Sequence, residues 1–157
     1  MMIRWLLLFL CIFASPTALS AERLRGPIPA TVVRVVDGDT LKVRAKIWIG
    51  QTIDISVRLR GIDTPELSAS CPLERRLAQK ARQRLASLVK ISKGSMPVTL
   101  RNISQGKYGG RVIAFVDNAN GISVGDVLLK EDIARPYRRN KARKSWCEQV
   151  TAIDNKN

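Results

Sequence analysis

The sequence predicts a mainly β (α+β) domain, a small closed or nearly closed barrel of five strands with a helix after the third strand and one or two more towards the C-terminus. Three observations predict it. The stretches "LKVRAKI" and "TIDISVRLR" alternate apolar and polar residues with period two, a longer stretch from Pro72 repeats apolar residues at helical spacing, and turn-forming residues separate them. At 157 residues the chain suits one domain better than two.

Taken in order, residues 1–20 begin with Arg4, continue with an apolar run from Trp5 to Ala14 and end in small residues at Ala18-Leu19-Ser20. This is the pattern of a secretory signal cleaved after Ser20, and the run is too short for a membrane-spanning helix. The expected destination is secreted or periplasmic, with no stable membrane anchor after cleavage and a monomeric product. Residues 21–29, "AERLRGPIP", form a polar lead-in. The predicted barrel domain runs from 30 to 137. Its first strand is "ATVVRVV", closed by a two-residue turn at Asp37-Gly38 in which Gly takes the positive φ that such turns demand. Leu41, Val43, Ala45 and Ile47 should face inward on the second strand, with Lys42, Arg44 and Lys46 outward. Ile53, Ile55, Val57 and Leu59 should face inward on the third, with Asp54, Ser56, Arg58 and Arg60 outward.

The period then changes. "PLERRLAQKARQRLASLVK" reads as an amphipathic helix of about 18 residues with Pro72 in its first turn. Strands "PVTLRNI" and "RVIAFVD" follow, and Ser123 with Asp126 three residues on opens a short helix. Residues 138–157 form a basic C-terminal tail, and the stretch "PYRRNKARKSWCEQV" is expected to be partly helical. Five strands interrupted in this way give the OB-fold layout, whose second and third strands commonly bind oligonucleotides. Lys42, Arg44 and Arg60 are candidate nucleic-acid contacts on those strands.

Charge and cysteines narrow the function. The chain has 27 basic and 13 acidic residues and no histidine. Without residues 1–20, which hold one Arg and no acid, the net charge is 26 − 13 = +13, an excess that suits a polyanionic partner. Lacking histidine, the chain excludes Ser-His-Asp and Cys-His hydrolases, histidine-base nucleases and His-rich zinc sites. Cys71 and Cys147 are the only cysteines left after cleavage, and an even pair in an oxidising compartment reads as a disulfide.

Two acidic stretches carry the chemistry. Asp37-Gly38 accounts for a turn, which leaves Asp39 and Thr40 of "DGDT" unexplained. "RLRGIDTPE", residues 58–66, ends the third strand; one reading makes Thr64 an N-cap and Pro65 the first residue of a helix. If the two stretches meet at one rim of the barrel, Asp39 and Asp63 bring two carboxylates together beside the Thr64 carbonyl. That is a hard-oxygen set suited to Ca²⁺, with Mg²⁺ or Mn²⁺ as lesser candidates. Arg58 is placed to fork onto a phosphate there, and Arg111, after "GKYGG", to supply a second guanidinium.

"VVDGDT", "VRLRGIDTPE" and "KYGGR…AF", in this order and at these spacings, resemble the staphylococcal nuclease (thermonuclease) family over about residues 30–137. The resemblance implies an OB-fold endonuclease, a metal-dependent phosphodiesterase that uses Ca²⁺ to hydrolyse DNA and RNA and leaves 3′-phosphates. Carried onto this sequence, it implies that Asp39 and Asp63 ligate calcium by side chain and Thr64 by backbone. Arg58 and Arg111 would bind the scissile phosphate, and Glu66 would activate or position the attacking water. Three departures stand out. "YGGR" has two glycines where the family usually has one, which bears on the placement of Arg111 and of Tyr108, a candidate nucleic-acid contact; the loop after "DTPE" is short; and Asp132 stands where Gly is usual. Tyr137 is a candidate for stacking on a base or ribose, or for packing beside Trp146. "RRNKARK" either tracks phosphates or is a solvated surface. The competing reading is a catalytically weak OB module that binds nucleic acid or another polyanion, and a third is a cationic scaffold.

Overall fold

The computed structural model describes residues 22–90, 96–107, 109–138 and 141–147. The expected signal segment lies outside them. In chain order the elements are β1 (Arg23–Leu24), β2 (Ile28–Val35), β3 (Thr40–Trp48), β4 (Gln51–Leu59), β5 (Ile62–Asp63), α1 (Pro72–Val89), β6 (Pro97–Gln105), β7 (Arg111–Asn118), α2 (Val124–Lys130) and β8 (Arg135–Pro136).

Strands β2, β3 and β4 form an antiparallel meander, β4 then pairs in parallel with β7, β7 pairs antiparallel with β6, and β6 returns to β2. The five strands close on themselves, with the antiparallel meander and the single parallel joint of an OB-fold barrel. Alternation fills the interior: Leu41, Val43, Ala45, Val57, Leu59, Val98, Leu100, Ala114 and Val116 are all buried. Leu85 and Val89 of α1 and Val124 and Leu128 of α2 join the same core. Both helices start as the sequence predicts. Cys71 caps α1 by accepting from the Glu74 N–H, with Pro72 in the first turn, and Ser123 caps α2 by accepting from the Asp126 N–H. Asp132 takes the left-handed conformation (φ 54°) that its position after α2 requires.

Three expectations are corrected. Ile47 and Ile53 are 46% and 40% exposed, alongside Trp48 at 70% and Ile49 at 86%. The β3–β4 hairpin outruns the barrel: β2 pairs with β3 only as far as Ala45, and β7 meets β4 only from Ser56. Asp37-Gly38 is not a two-residue turn, because Val35 pairs with Leu41 and both the Val36 and Asp37 N–H groups donate to the Thr40 carbonyl. Gly38 has no positive φ; its need for a small residue is steric, as the site below shows. Thr64 caps no helix, since residues 64–66 are irregular and α1 starts at Pro72. The described tail residues, 137–138 and 141–147, contain no helix, and the remainder of the stretch expected to be partly helical lies outside the described residues; the described residues form a strap after β8, which pairs with β5.

Candidate active site

The barrel rim gathers the two acidic stretches. Thr40 pairs with Arg58 across β3 and β4, and the Leu59 N–H donates to the Asp39 carbonyl at 2.8 Å. Asp39 is thereby fixed beside the end of β4. The chain turns at Gly61 (φ +82°) into β5, which delivers Asp63 and Thr64 to the same rim. Gly38 closes the assembly, because a Cβ there would lie 2.7 Å from the Cβ of Ala81 on α1 and 2.7 Å from Thr64 Oγ1.

Arg58 joins the two carboxylates. Its Nη1 donates to Asp39 Oδ1 at 2.7 Å and its Nη2 to Asp63 Oδ1 at 3.5 Å. Thr40 Oγ1 also donates to Asp39 Oδ1, at 3.0 Å. Asp39 is only 2% exposed. Burial pushes its carboxyl up to about 7, against the downward pull of Arg58 and Thr40. One guanidinium therefore does not fully offset the cost of an ionised Asp39, and a further cation at this rim would.

A second guanidinium comes from the tail. Arg143 donates through Nε to Asp63 Oδ2 at 3.0 Å and through Nη2 to the Thr64 carbonyl at 2.7 Å. It also lies 3.2 Å from Glu74 Oε1 and 3.6 Å from Glu66 Oε1. Burial alone would lower its pKa, but Asp63, Glu66 and Glu74 together raise it. Glu74, nearly buried on α1, accepts the Glu66 N–H at 3.1 Å and so fixes the backbone of Glu66, whose own side chain is 45% exposed. Arg111 opens β7 opposite Ser56, two residues from Arg58 on β4, so Arg111 and Arg58 lie on the same sheet face, roughly 7 Å apart along the strands.

A family model described as staphylococcal nuclease homologue matches residues 56–156, more than half of the chain. The chain belongs to the staphylococcal nuclease family. A comparison with curated proteins finds no match. The family match takes in Arg58, Asp63, Thr64, Glu66 and Arg111, and it reaches past Arg143. Asp39 lies before it, and it is the Arg58 hydrogen bond that ties Asp39 into the site of this nuclease homologue.

The outlying candidates divide. Lys42 and Arg44 stay on the outer face, where Arg44 forks onto Asp54 at 2.8 and 3.0 Å and Lys42 reaches the Asp54 carbonyl. Arg60 does not join them. Its guanidinium turns back onto the barrel wall and donates to the Asn102 and Ile113 carbonyls and to Ser104 Oγ, a tie between β6 and β7. Tyr137 is 56% exposed and shares a cleft of about 860 Å³ with Asp63, Arg138 and Lys141. Tyr108 lies outside the described residues. Cys71 and Cys147 form the expected disulfide. Their sulfurs and a Glu74 oxygen lie within 4.8 Å of one another, but sulfurs bonded to each other offer no thiolate to a metal. Sequence reasoning missed Arg143 and Glu74. A signal existed: Cys71 follows Glu66 by five residues and Cys147 follows Arg143 by four, so the predicted bridge brings that arginine towards the "DTPE" segment.

Proposed function

We propose that this staphylococcal nuclease homologue is a Ca²⁺-dependent endonuclease that hydrolyses DNA and RNA with little sequence preference, leaves 3′-phosphates and acts as a secreted or periplasmic monomer. The observation that carries it is the convergence of Asp39 and Asp63 on one Arg58 guanidinium beside the Thr64 carbonyl. These donors are all hard oxygens, and Asp39 is buried with too little positive charge around it, so the set fits a divalent cation of the calcium type. Asp39, Asp63 and Thr64 would hold the ion. Bound Ca²⁺ supplies Lewis-acid polarisation of a phosphoryl oxygen and a site for water.

The chain's own residues do the remainder. Arg58 is only partly exposed and pre-aimed across the rim, so it can fork onto a phosphate and offset the charge that builds on it during attack. Arg111 flanks the same face. Glu66 is half open to solvent on a backbone held by Glu74, which suits a group that orients or deprotonates an incoming water. Lys42, Arg44 and Tyr137 lie outside the reacting centre as sequence-tolerant contacts to backbone and bases.

A second reading is favoured by Arg143, which covers Asp63 and the Thr64 carbonyl: an OB module that binds nucleic acid through its basic face without turnover. End-labelled single-stranded DNA incubated with Ca²⁺ or with chelator separates the two. Calcium-dependent shortening to products with 3′-phosphates supports the enzyme; intact DNA in a salt-sensitive complex refutes it in favour of the binder.

A further inference from the structure

We propose that Arg143 is an internal counter-cation that competes with the divalent cation for Asp63 and Thr64, so that the disulfide-tethered tail sets the metal affinity of the site. This rests on the calcium-dependent reading above. Two of the three oxygen groups that would hold the ion already accept from this one guanidinium, at 3.0 and 2.7 Å. Glu66 and Glu74, which close the same side, lie within 3.6 and 3.2 Å of it. A guanidinium and a divalent cation cannot both take the Thr64 carbonyl and the outer oxygen of Asp63 at contact distance.

The strap is built to hold that arginine in place. Its first end is fastened where β8 pairs with β5, the strand that carries Asp63, and where the Tyr137 N–H donates to the Gly61 carbonyl at 2.9 Å. Its other end is fastened by Cys147 to Cys71, immediately before α1. Between them Trp146 is buried with the Arg135 guanidinium 3.7 Å over its ring, and Arg135 Nη1 donates to the Ser145 carbonyl at 3.3 Å. Two fixed ends give Arg143 a high effective concentration at the rim. Arg143 itself remains 41% exposed in its side chain, and its neighbours Lys141, Ala142 and Lys144 are exposed, so withdrawal uncovers no core. The arrangement gives a site that is self-neutralised when cation is scarce.

Calorimetric titration of Ca²⁺ into the full chain with the bridge intact tests this for the native protein, Arg143→Gln and Arg143→Lys. The expected result is a Ca²⁺ affinity about tenfold higher in Arg143→Gln, with Arg143→Lys between the two, because an ammonium keeps the charge but loses the fork. Equal or weaker affinity in Arg143→Gln, or no Ca²⁺ binding by any of the three, overturns the proposal. Should Arg143→Gln fail to fold, Arg143→Lys decides alone, with affinity no higher than native overturning it. Amide exchange over residues 141–147 of the native protein gives an independent reading: saturating Ca²⁺ should speed it, and unchanged protection means that the arginine and the ion do not compete. The nuclease reading fails on a different result, intact DNA with all three proteins at saturating Ca²⁺, whatever their affinities.

Discussion

Replacing Gly38 by Ala should destabilise the fold through steric contact alone. Gly38 has no positive φ, so the backbone accepts alanine. The added Cβ would lie 2.7 Å from Ala81 Cβ, 2.7 Å from Thr64 Oγ1 and 3.0 Å from Thr64 Cβ. Carbon atoms rest about 3.5–4.0 Å apart, so the loop and α1 must separate by about 1 Å. The Ala81 Cβ sits directly on the helix backbone and cannot rotate away, which places the expected cost near the top of the range of about 1–3 kcal/mol for overpacking. Urea unfolding measures it as a shift in midpoint at constant slope. Ala81→Gly opens the opposing space and by itself costs about 1 kcal/mol in helix propensity. In the double variant the two costs should fall short of their sum by about 1 kcal/mol or more. Gly50→Ala is the contrast: φ is +71° with nothing within 4 Å, so its cost of about 1–2 kcal/mol is conformational and no partner substitution relieves it. A Gly38→Ala protein within about 0.5 kcal/mol of native, or strict additivity with Ala81→Gly, would refute the packing argument.

Other outcomes follow from the same geometry. Arg58→Lys should lower turnover of DNA by about 10²-fold or more, since an ammonium cannot span Asp39, Asp63 and a phosphate; near-native turnover removes Arg58 from the chemistry. Reducing the Cys71–Cys147 bridge, which links residues 76 apart, should cost about 4.5 kcal/mol in the chain-entropy picture, and an unmoved urea midpoint under reductant would contradict it. With chelator present, the raised pKa of Asp39 means that the native state holds its proton more tightly than the unfolded chain. Its stabilisation is full below 3.8 and is lost as pH rises towards about 7, by up to about 1.4 kcal/mol per pH unit. Asp39→Asn should flatten that decline in thermal melts, and an unchanged slope would show that Asp39 is not its source.

The barrel was legible because period-two alternation is a local property, and Leu41, Val43, Val57 and Leu59 face inward wherever neighbouring strands cover them. The same alternation misassigned Ile47 and Ile53, since nothing local reveals that β2 and β7 stop short of the hairpin tip. Asp37-Gly38 was misread for a related reason: the dipeptide is a strong turn signal, but the constraint on Gly38 comes from α1, more than forty residues on. Among the candidate site residues, Asp39, Arg58, Asp63 and Thr64 stand out in the sequence because two carboxylates, a carbonyl and a guanidinium at that spacing suit a cation and a phosphate, whereas Glu66 is proposed from the family resemblance. Arg60 matched the same outward alternation, yet carbonyls on β6 and β7 take it up. Arg143 and Glu74 look like surface residues of a basic tail and an amphipathic helix, and only the tertiary arrangement makes them part of the rim.

The most direct test of the central claim is release of acid-soluble nucleotide from denatured DNA by the purified protein, with Ca²⁺ and with chelator, beside Glu66→Gln. The Glu66 side chain is 45% exposed, so the amide leaves the fold intact and removes only the carboxylate that would handle the attacking water. Calcium-dependent release that collapses in Glu66→Gln is the predicted result. DNA left intact with every divalent cation, or release by Glu66→Gln equal to native, would contradict it.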